Sequence, residues 1–497
     1  MRKIKKKLIM RKRFEEQFKI GLKPISKTYV LLKSRDDVPA LVKSLLEIFN
    51  TPKYNERIFS ILEDKLMKGK KRTGRNGLNL WQIFVLAQFR LALNIDYDRL
   101  HFMANSDSTL RQLLGIETET GFERIELDYQ RILDNVHLLD DITLREINEI
   151  IVEFGHGVFK KKEEEALSLK TDSYVVESNV HFPTDYSLLW DSSRKAINTI
   201  DRFTRKYPSI EGWRKSYDWF KSLKNLSRAL GKASSSGGKN KAERENYAAR
   251  QYLVKSKALR NKINNSKNGF LIKDIEDLAN IIALEHFIVL MDKHIDLVDR
   301  RLIKGEEIPH EEKLFSIFEQ YTEWITKGKQ RPNVELGKKL AITTDQFGLI
   351  VDYYIMEHEA DSGIVTILAE RILQKYKVNI WSFDKGFWHK DNKALLQTQV
   401  ENVIMPKKGK LNKLESEEEH EPLFKKSRNK HSAIESNINE LEHRGLNKCP
   451  DKGYHGFKRY IGIGIVAYNL HRIGKQLIKI ELAKKQEDLK KILKRAA

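Results

Sequence analysis

The chain has 497 residues, enough for about three domains and a buried core. A 40% hydrophobic content excludes a disordered polymer, the single cysteine (Cys449) excludes an internal disulfide or a multi-cysteine zinc site, and no apolar run reaches the roughly 18 residues of a membrane helix. Lys and Arg number 91 against 69 Asp and Glu, a formal charge of +22, and a surface of that sign attracts polyanions, nucleic acid foremost.

Residues 1–75 read as a basic, weakly patterned arm. The start, Met1-Arg-Lys-Ile-Lys-Lys-Lys, lacks the apolar core of a signal peptide, so a reducing, cytoplasmic setting is expected. Gly69 to Gly77 reads as a basic hinge. From Leu80 the apolar spacing becomes helical, with Trp81, Phe84, Val85, Leu91 and Ala92 on the repeat, and a further helix is expected within 135–160. Residues 76–160 are therefore expected to form a helical domain serving DNA binding or dimerisation.

At Leu167 the pattern changes to β-prone alternation through Asn179, a predicted strand that carries Asp172. Pro183 ends it, and Thr184 and Asp185 suit a helix N-cap. Glu177 lies five residues from Asp172 and so on the opposite strand face. Residues 187–305 then read as helical, with a long amphipathic helix from Ile275 to Leu302 stopped at Gly305. Gly231 to Gly238 reads as a flexible linker. The stretch after it, Lys239 to Lys262, is either a grip on a phosphate backbone or a solvated basic face.

Strands resume with a hairpin, Lys338 to Asp345 and Gly348 to Met356. A helix over 362–376, a strand over 378–384, a polar loop over 409–427 and helices over 431–443 and 454–474 complete the pattern, followed by a basic tail at 476–497. With the helical stretch removed, an α/β core remains. Asp172 sits on its first strand, Asp384 at the C-terminal end of a later one, where open α/β sheets carry their sites, and Glu435 on a following helix. Three convergent carboxylates suit phosphoryl transfer, because hard divalent ions prefer oxygen ligands and two of them about 3.5–4 Å apart stabilise both the attacking and the leaving oxygen. Spacing by itself does not single out this triple among the chain's 69 acids.

Longer motifs do. Thr171-Asp-Ser-Tyr-Val-Val-Glu-Ser-Asn-Val-His-Phe-Pro-Thr-Asp185, Ser382-Phe-Asp-Lys-Gly-Phe387 and Arg428-Asn-Lys-His-Ser-Ala-Ile-Glu435, continuing to Gly445 and Gly453-Tyr-His-Gly-Phe-Lys-Arg-Tyr460, resemble in order the catalytic motifs of ISNCY-type insertion-sequence transposases. The resemblance spans about residues 75–475. It implies an α/β, RNase H-like catalytic core over 161–475, interrupted by an all-helical insertion at 187–330, beside the helical N-terminal domain. It also implies Asp172, Asp384 and Glu435 as a triad holding Mg²⁺ or Mn²⁺ for DNA strand cleavage and transfer, on double-stranded transposon ends and target DNA, in at least a homodimer. The sequence departs from related DDE enzymes where a lysine often follows the third acid by about seven residues: here stands Glu442. Lys430, Arg444, Lys458 and Arg459 become the candidate phosphate contacts. Trp388 is a candidate for base stacking or packing, and His181 for orienting a scissile phosphate. The alternatives are an RNase H-like nuclease or resolvase that cuts without joining, and a DNA-binding protein with an inactive core.

Overall fold

A computed structural model describes residues 11–14, 20–67, 77–326 and 333–496. It is mixed α/β and divides into two compact units, residues 1–179 with 327–497, and residues 180–326.

The larger unit begins with α1 (Val38–Asn50) and α2 (Pro52–Met67), which lie within the stretch read as an arm. Leu41, Val42, Leu45 and Ile48 of α1 and Phe59 and Leu62 of α2 are buried, so these helices form core and the reading of 1–75 as an arm is corrected. Their apolar spacing is helical; the basic flanks hid it. The hinge expected at 69–77 lies outside the described residues except for Gly77. Then come α3 (Leu80–Ala92), α4 (Tyr97–Ser106), α5 (Ser108–Leu113), α6 (Tyr129–Val136) and α7 (Asp141–Val158). Each opens on an Asn or Asp whose side chain accepts a backbone N–H of the first turn. Strand β1 (Leu167–Ser178) follows.

The smaller unit holds α8 (Asp185–Lys206), α9 (Ser216–Ser235), α10 (Lys241–Ser266), α11 (Ile275–Val298) and the short strand β2 (Glu323–Thr326). Thr184 caps α8 in a reciprocal box with Ser187. The core is apolar, built on Ile197, Ile200, Trp213, Leu223, Tyr252, Leu259, Ile288 and Met291. The linker expected at 231–238 is shorter than that: α9 continues through Gly231 to Ser235, because Lys232-Ala-Ser-Ser prolongs its last turn.

Back in the larger unit stand β3 (Val334–Thr344), β4 (Ile350–Ile355), α12 (Val365–Leu373), β5 (Val378–Phe383), α13 (Lys390–Gln397) and β6 (Asn402–Ile404). They are followed by α14 (Lys413–His420), α15 (Pro422–His431), α16 (Ala433–Leu441), β7 (Lys448–Cys449) and α17 (Gly453–Ala496). The polar loop expected at 409–427 is thus largely helical. Asn412 and Glu415 form a capping box there that turns a charged sequence into α14.

In the sheet, β1 pairs antiparallel with β3 and parallel with β5; β3 continues antiparallel to β4, and β5 parallel to β6. β7 pairs with the far end of β1. Pleating puts Leu167 and Leu169 on one face, where they meet Trp381, Phe383, Val365, Leu368 and Leu396, and leaves Lys170 and Asp172 on the other. The outer edge of β4 is blunted by side chains. Asn148 and Asn469 bond Ile350 O at 3.0 and 2.9 Å, and Arg145 bonds Tyr353 O at 2.7 Å. At the crossing of α17 and α1, a Cβ on Gly474 would stand 1.8 Å from Ala40 O, so only glycine allows that approach.

Candidate active site

The parallel register of β1 and β5 sets the geometry of the acids. It pairs Thr171 with Phe383, so the next residues along the two strands are Asp172 and Asp384. Beyond Asp384 the chain turns at once through a single 3₁₀ turn, Lys385–Phe387, which plants Phe387 in the core and leaves the carboxylate at the strand end, exposed. Glu435 lies in the first turn of α16, which packs against β1. The break between α15 and α16 falls at Ser432, whose carbonyl accepts from Glu435 N–H at 3.1 Å.

Asp172 feels the charge of the other two acids. Burial pushes the half-buried Asp172 carboxyl up to about 7; a hydrogen bond from Ser173 N–H, 2.7 Å, opposes this, and the negative fields of Asp384, Asp361 and Glu435 add to it. Asp384, Glu435 and a further acid, Asp361, thus lie within electrostatic range of the Asp172 carboxyl. Asp361, just before α12, accepts from Ser173 Oγ at 2.7 Å and from Lys339 Nζ at 3.3 Å, and one of its oxygens stands 2.9 Å from where a Cβ on Gly386 would be. No spacing in the sequence marks it, because it reaches the site from the other side of the β3–β4 hairpin.

His431 is a second addition. Its Nδ1 is 3.0 Å from Ser382 Oγ on β5, and its Nε2 is buried without a hydrogen-bond partner. Burial, with Asp384 opposing and Lys170 assisting, holds its pKa down at about 4, so the ring stays neutral near neutral pH. The sequence reading passed over it; the one signal available was its place four residues before Glu435.

The basic candidates divide. Lys430 is exposed, and Lys458 is half-buried with its ammonium 4.1 Å from the Tyr454 ring centre. Arg444 and Arg459 are corrected: both are interior. Arg444 is 7% exposed and bonds Glu440, Asp37, His471 and Ala92 O; Arg459 is 8% exposed and meets Asp451 at 3.3 Å. Guanidiniums enclosed in the fold in this way are not presented to DNA phosphate. Trp388 packs partly buried against the core with Lys407 over its ring at 5.3 Å. His181 belongs to the smaller unit, where Asp191 takes its Nε2 at 2.6 Å and raises its pKa against burial.

Among the described residues no group of three His, Cys, Asp or Glu is arranged to hold a metal ion as it stands, and no helix is long and apolar enough to cross a membrane. The donor set does fit a hard cation. It is all carboxylate oxygen, and Lys339, on Asp361, is the one cation among these contacts. Compared with models of protein families, with characterised proteins and with solved structures, the chain matches none.

Proposed function

We propose that this chain is a DNA transposase of the DDE class, with an RNase H-like core over 161–475, a helical insertion after its first strand, and Asp172, Asp384 and Glu435 as its metal-holding acids. The observation that carries the reading is the adjacency of Asp172 and Asp384 across the β1–β5 register, with Glu435 within electrostatic range of the same carboxyl. The strand arrangement agrees with it: β4, β3, β1, β5 and β6 lie side by side in that order, with β5 and β6 parallel to β1, as an RNase H-like sheet requires.

Bound Mg²⁺ or Mn²⁺ would supply charge neutralisation at the transferred phosphoryl group and a more acidic attacking water. The chain's own residues prepare for this. Asp172, Asp384 and Glu435 offer oxygens from three separate segments, so they would grip the ion from a rigid strand, a strand end and a helix. Burial, with its acidic neighbours adding to it, keeps the proton on Asp172 up to about pH 7, and arriving positive charge would favour its release. Neutral His431 adds no competing positive charge beside Asp384. One such site serves both hydrolysis at a transposon end and attack by the resulting 3′-OH on target DNA, because both are in-line phosphoryl transfers. Two ends must meet, so the working complex is at least a homodimer on DNA.

The test is to incubate the protein with supercoiled plasmid and a labelled duplex drawn from the DNA flanking its coding frame, with Mg²⁺ or Mn²⁺, beside Asp384→Ala. Nicking and joining by the intact protein, with binding alone by the variant, is expected. Cutting without joining selects the nuclease alternative. Binding without either reaction under both metals selects the inactive-core alternative.

A further inference from the structure

The helical hairpin of the smaller unit carries a feature separate from the acid site. On α9, Lys221, Lys224, Arg228 and Lys232 recur at three- and four-residue steps, and Leu223, Ser227 and Leu230 are buried on the opposite side. On α10 the outward positions are Arg244, Tyr247, Arg250, Val254 and Lys257, opposite buried Tyr252, Leu259 and Ile263. These cations project to solvent, all but half-buried Lys224 being exposed, and none of them forms an ion pair among the described residues. That differs from Arg260 of the same helix, bound at 2.9 Å to Asp292, and from Arg300, held by three acids. Between Arg214 and Lys262 the sequence offers three acids, Asp218, Glu243 and Glu245, and Glu245 is engaged by Ser234 Oγ at 2.5 Å.

Two adjacent outer faces loaded with unneutralised cations repel themselves, a cost that a solvated surface reduces by interspersing acids. Here the seven stripe cations outnumber the three nearby acids, Asp218, Glu243 and Glu245, and an aromatic side chain stands on the α10 stripe. Tyr247 is 68% exposed, and Lys255 Nζ lies 4.0 Å from the Trp219 ring centre. The α9 stripe spans about 16 Å and the α10 stripe about 20 Å at 1.5 Å per residue, more than the roughly 12 Å width of a B-DNA major groove, so one stripe can reach phosphates on both sides of a groove. We infer that the α9–α10 hairpin is a sequence-independent docking surface for the phosphate backbone of duplex DNA. This deepens the transposase reading by naming where the enzyme holds DNA apart from its acids, and it rests on that reading only for its biological setting.

The test needs no catalysis. Binding of a duplex of arbitrary sequence is measured in EDTA across a salt series for the intact protein, for K221Q/K224Q/R228Q/K232Q and for R244Q/R250Q/K257Q. A third variant, K484Q/K485Q/K490Q/K491Q, removes as many charges as the α9 variant from the exposed end of α17. Each lost phosphate contact lowers the slope of log K against log salt by about 0.9, so a drop of up to about 3.6 is expected for the α9 variant, up to about 2.7 for the α10 variant and less than about one for the α17 variant. Unchanged melting temperature confirms that the surface positions are not structural. A wild-type slope in both hairpin variants overturns the inference, and so does an equal drop in the α17 variant, which would make net charge the cause. Loss of binding to phosphatidylserine vesicles without loss on duplex overturns it in favour of a lipid surface. If plasmid joining fails while the hairpin slope still falls, the catalytic reading fails and this one stands.

Discussion

Asp172→Asn is a perturbation whose sign tests whether the fold penalises the charge of this carboxyl. The carboxyl has an ordinary value of 3.8 and stands at about 7 in the fold. For an acid raised in the folded state, ionisation is penalised only where the unfolded chain would be charged. The penalty is absent below pH 3.8, grows through the window up to about 7, and is complete above it. The full shift corresponds to a ceiling of about 4 kcal/mol at 1.36 kcal/mol per unit, and relaxation and partial solvent access reduce the effect to about 1–2 kcal/mol. Asparagine keeps the oxygen that accepts Ser173 N–H and removes the charge. Asp172→Asn is therefore expected to melt a few degrees above the intact protein at pH 8 without metal, with about two fifths of the gain left at pH 5, while strand cleavage is lost. Mg²⁺ or Mn²⁺ should raise the melting point of the intact protein and that of the variant much less. Scanning calorimetry at three pH values with and without metal reads all of this. A variant that melts at or below the intact protein at pH 8 would refute the argument that burial, with the neighbouring carboxylates adding to it, penalises the Asp172 charge.

Gly474→Ala should destabilise the larger unit by about 1–3 kcal/mol in denaturant unfolding, since the new Cβ meets the Ala40 carbonyl at 1.8 Å, and Ala40→Gly should not rescue it because the obstacle is backbone. Asp451→Asn strands two buried guanidiniums, Arg90 at 2.5 Å and Arg459 at 3.3 Å, and is expected to cost about 3–5 kcal/mol by the same measurement. Burial works against the Glu440 carboxylate, but the hydrogen bond from His471 and the charges of Arg444 and Lys475 outweigh it and hold its pKa down at about 2. A depressed acid stabilises the fold above its unfolded value and loses that contribution as pH falls toward 2, so Glu440→Gln should flatten the acid limb of a pH–stability curve; an unaltered limb counts against the network.

Local pattern determined much of this protein. Alternation fixed β1 and the face on which Asp172 stands, the spacing from Ile275 with Gly305 beyond fixed α11, and two β-prone runs around a short turn fixed the β3–β4 hairpin. These are short-range effects, in which each residue's propensity and its neighbours at two or four positions carry the information. The same reasoning failed where charge masked pattern, within the stretch itself in α14, a charged run that a capping box makes helical, and from the basic flanks in α1 and α2. Only the tertiary structure decided which charges meet. Arg444 and Lys430 are alike in sequence as cations near Glu435, yet one is enclosed by Glu440, Asp37 and His471 and the other is exposed. Asp361 meets β1 across nearly two hundred positions, accepting a hydrogen bond from Ser173, and its charge reaches Asp172. Burial and cross-strand register are properties of the assembled chain, and they select, from many acids and bases of equal local standing, the few that share a site.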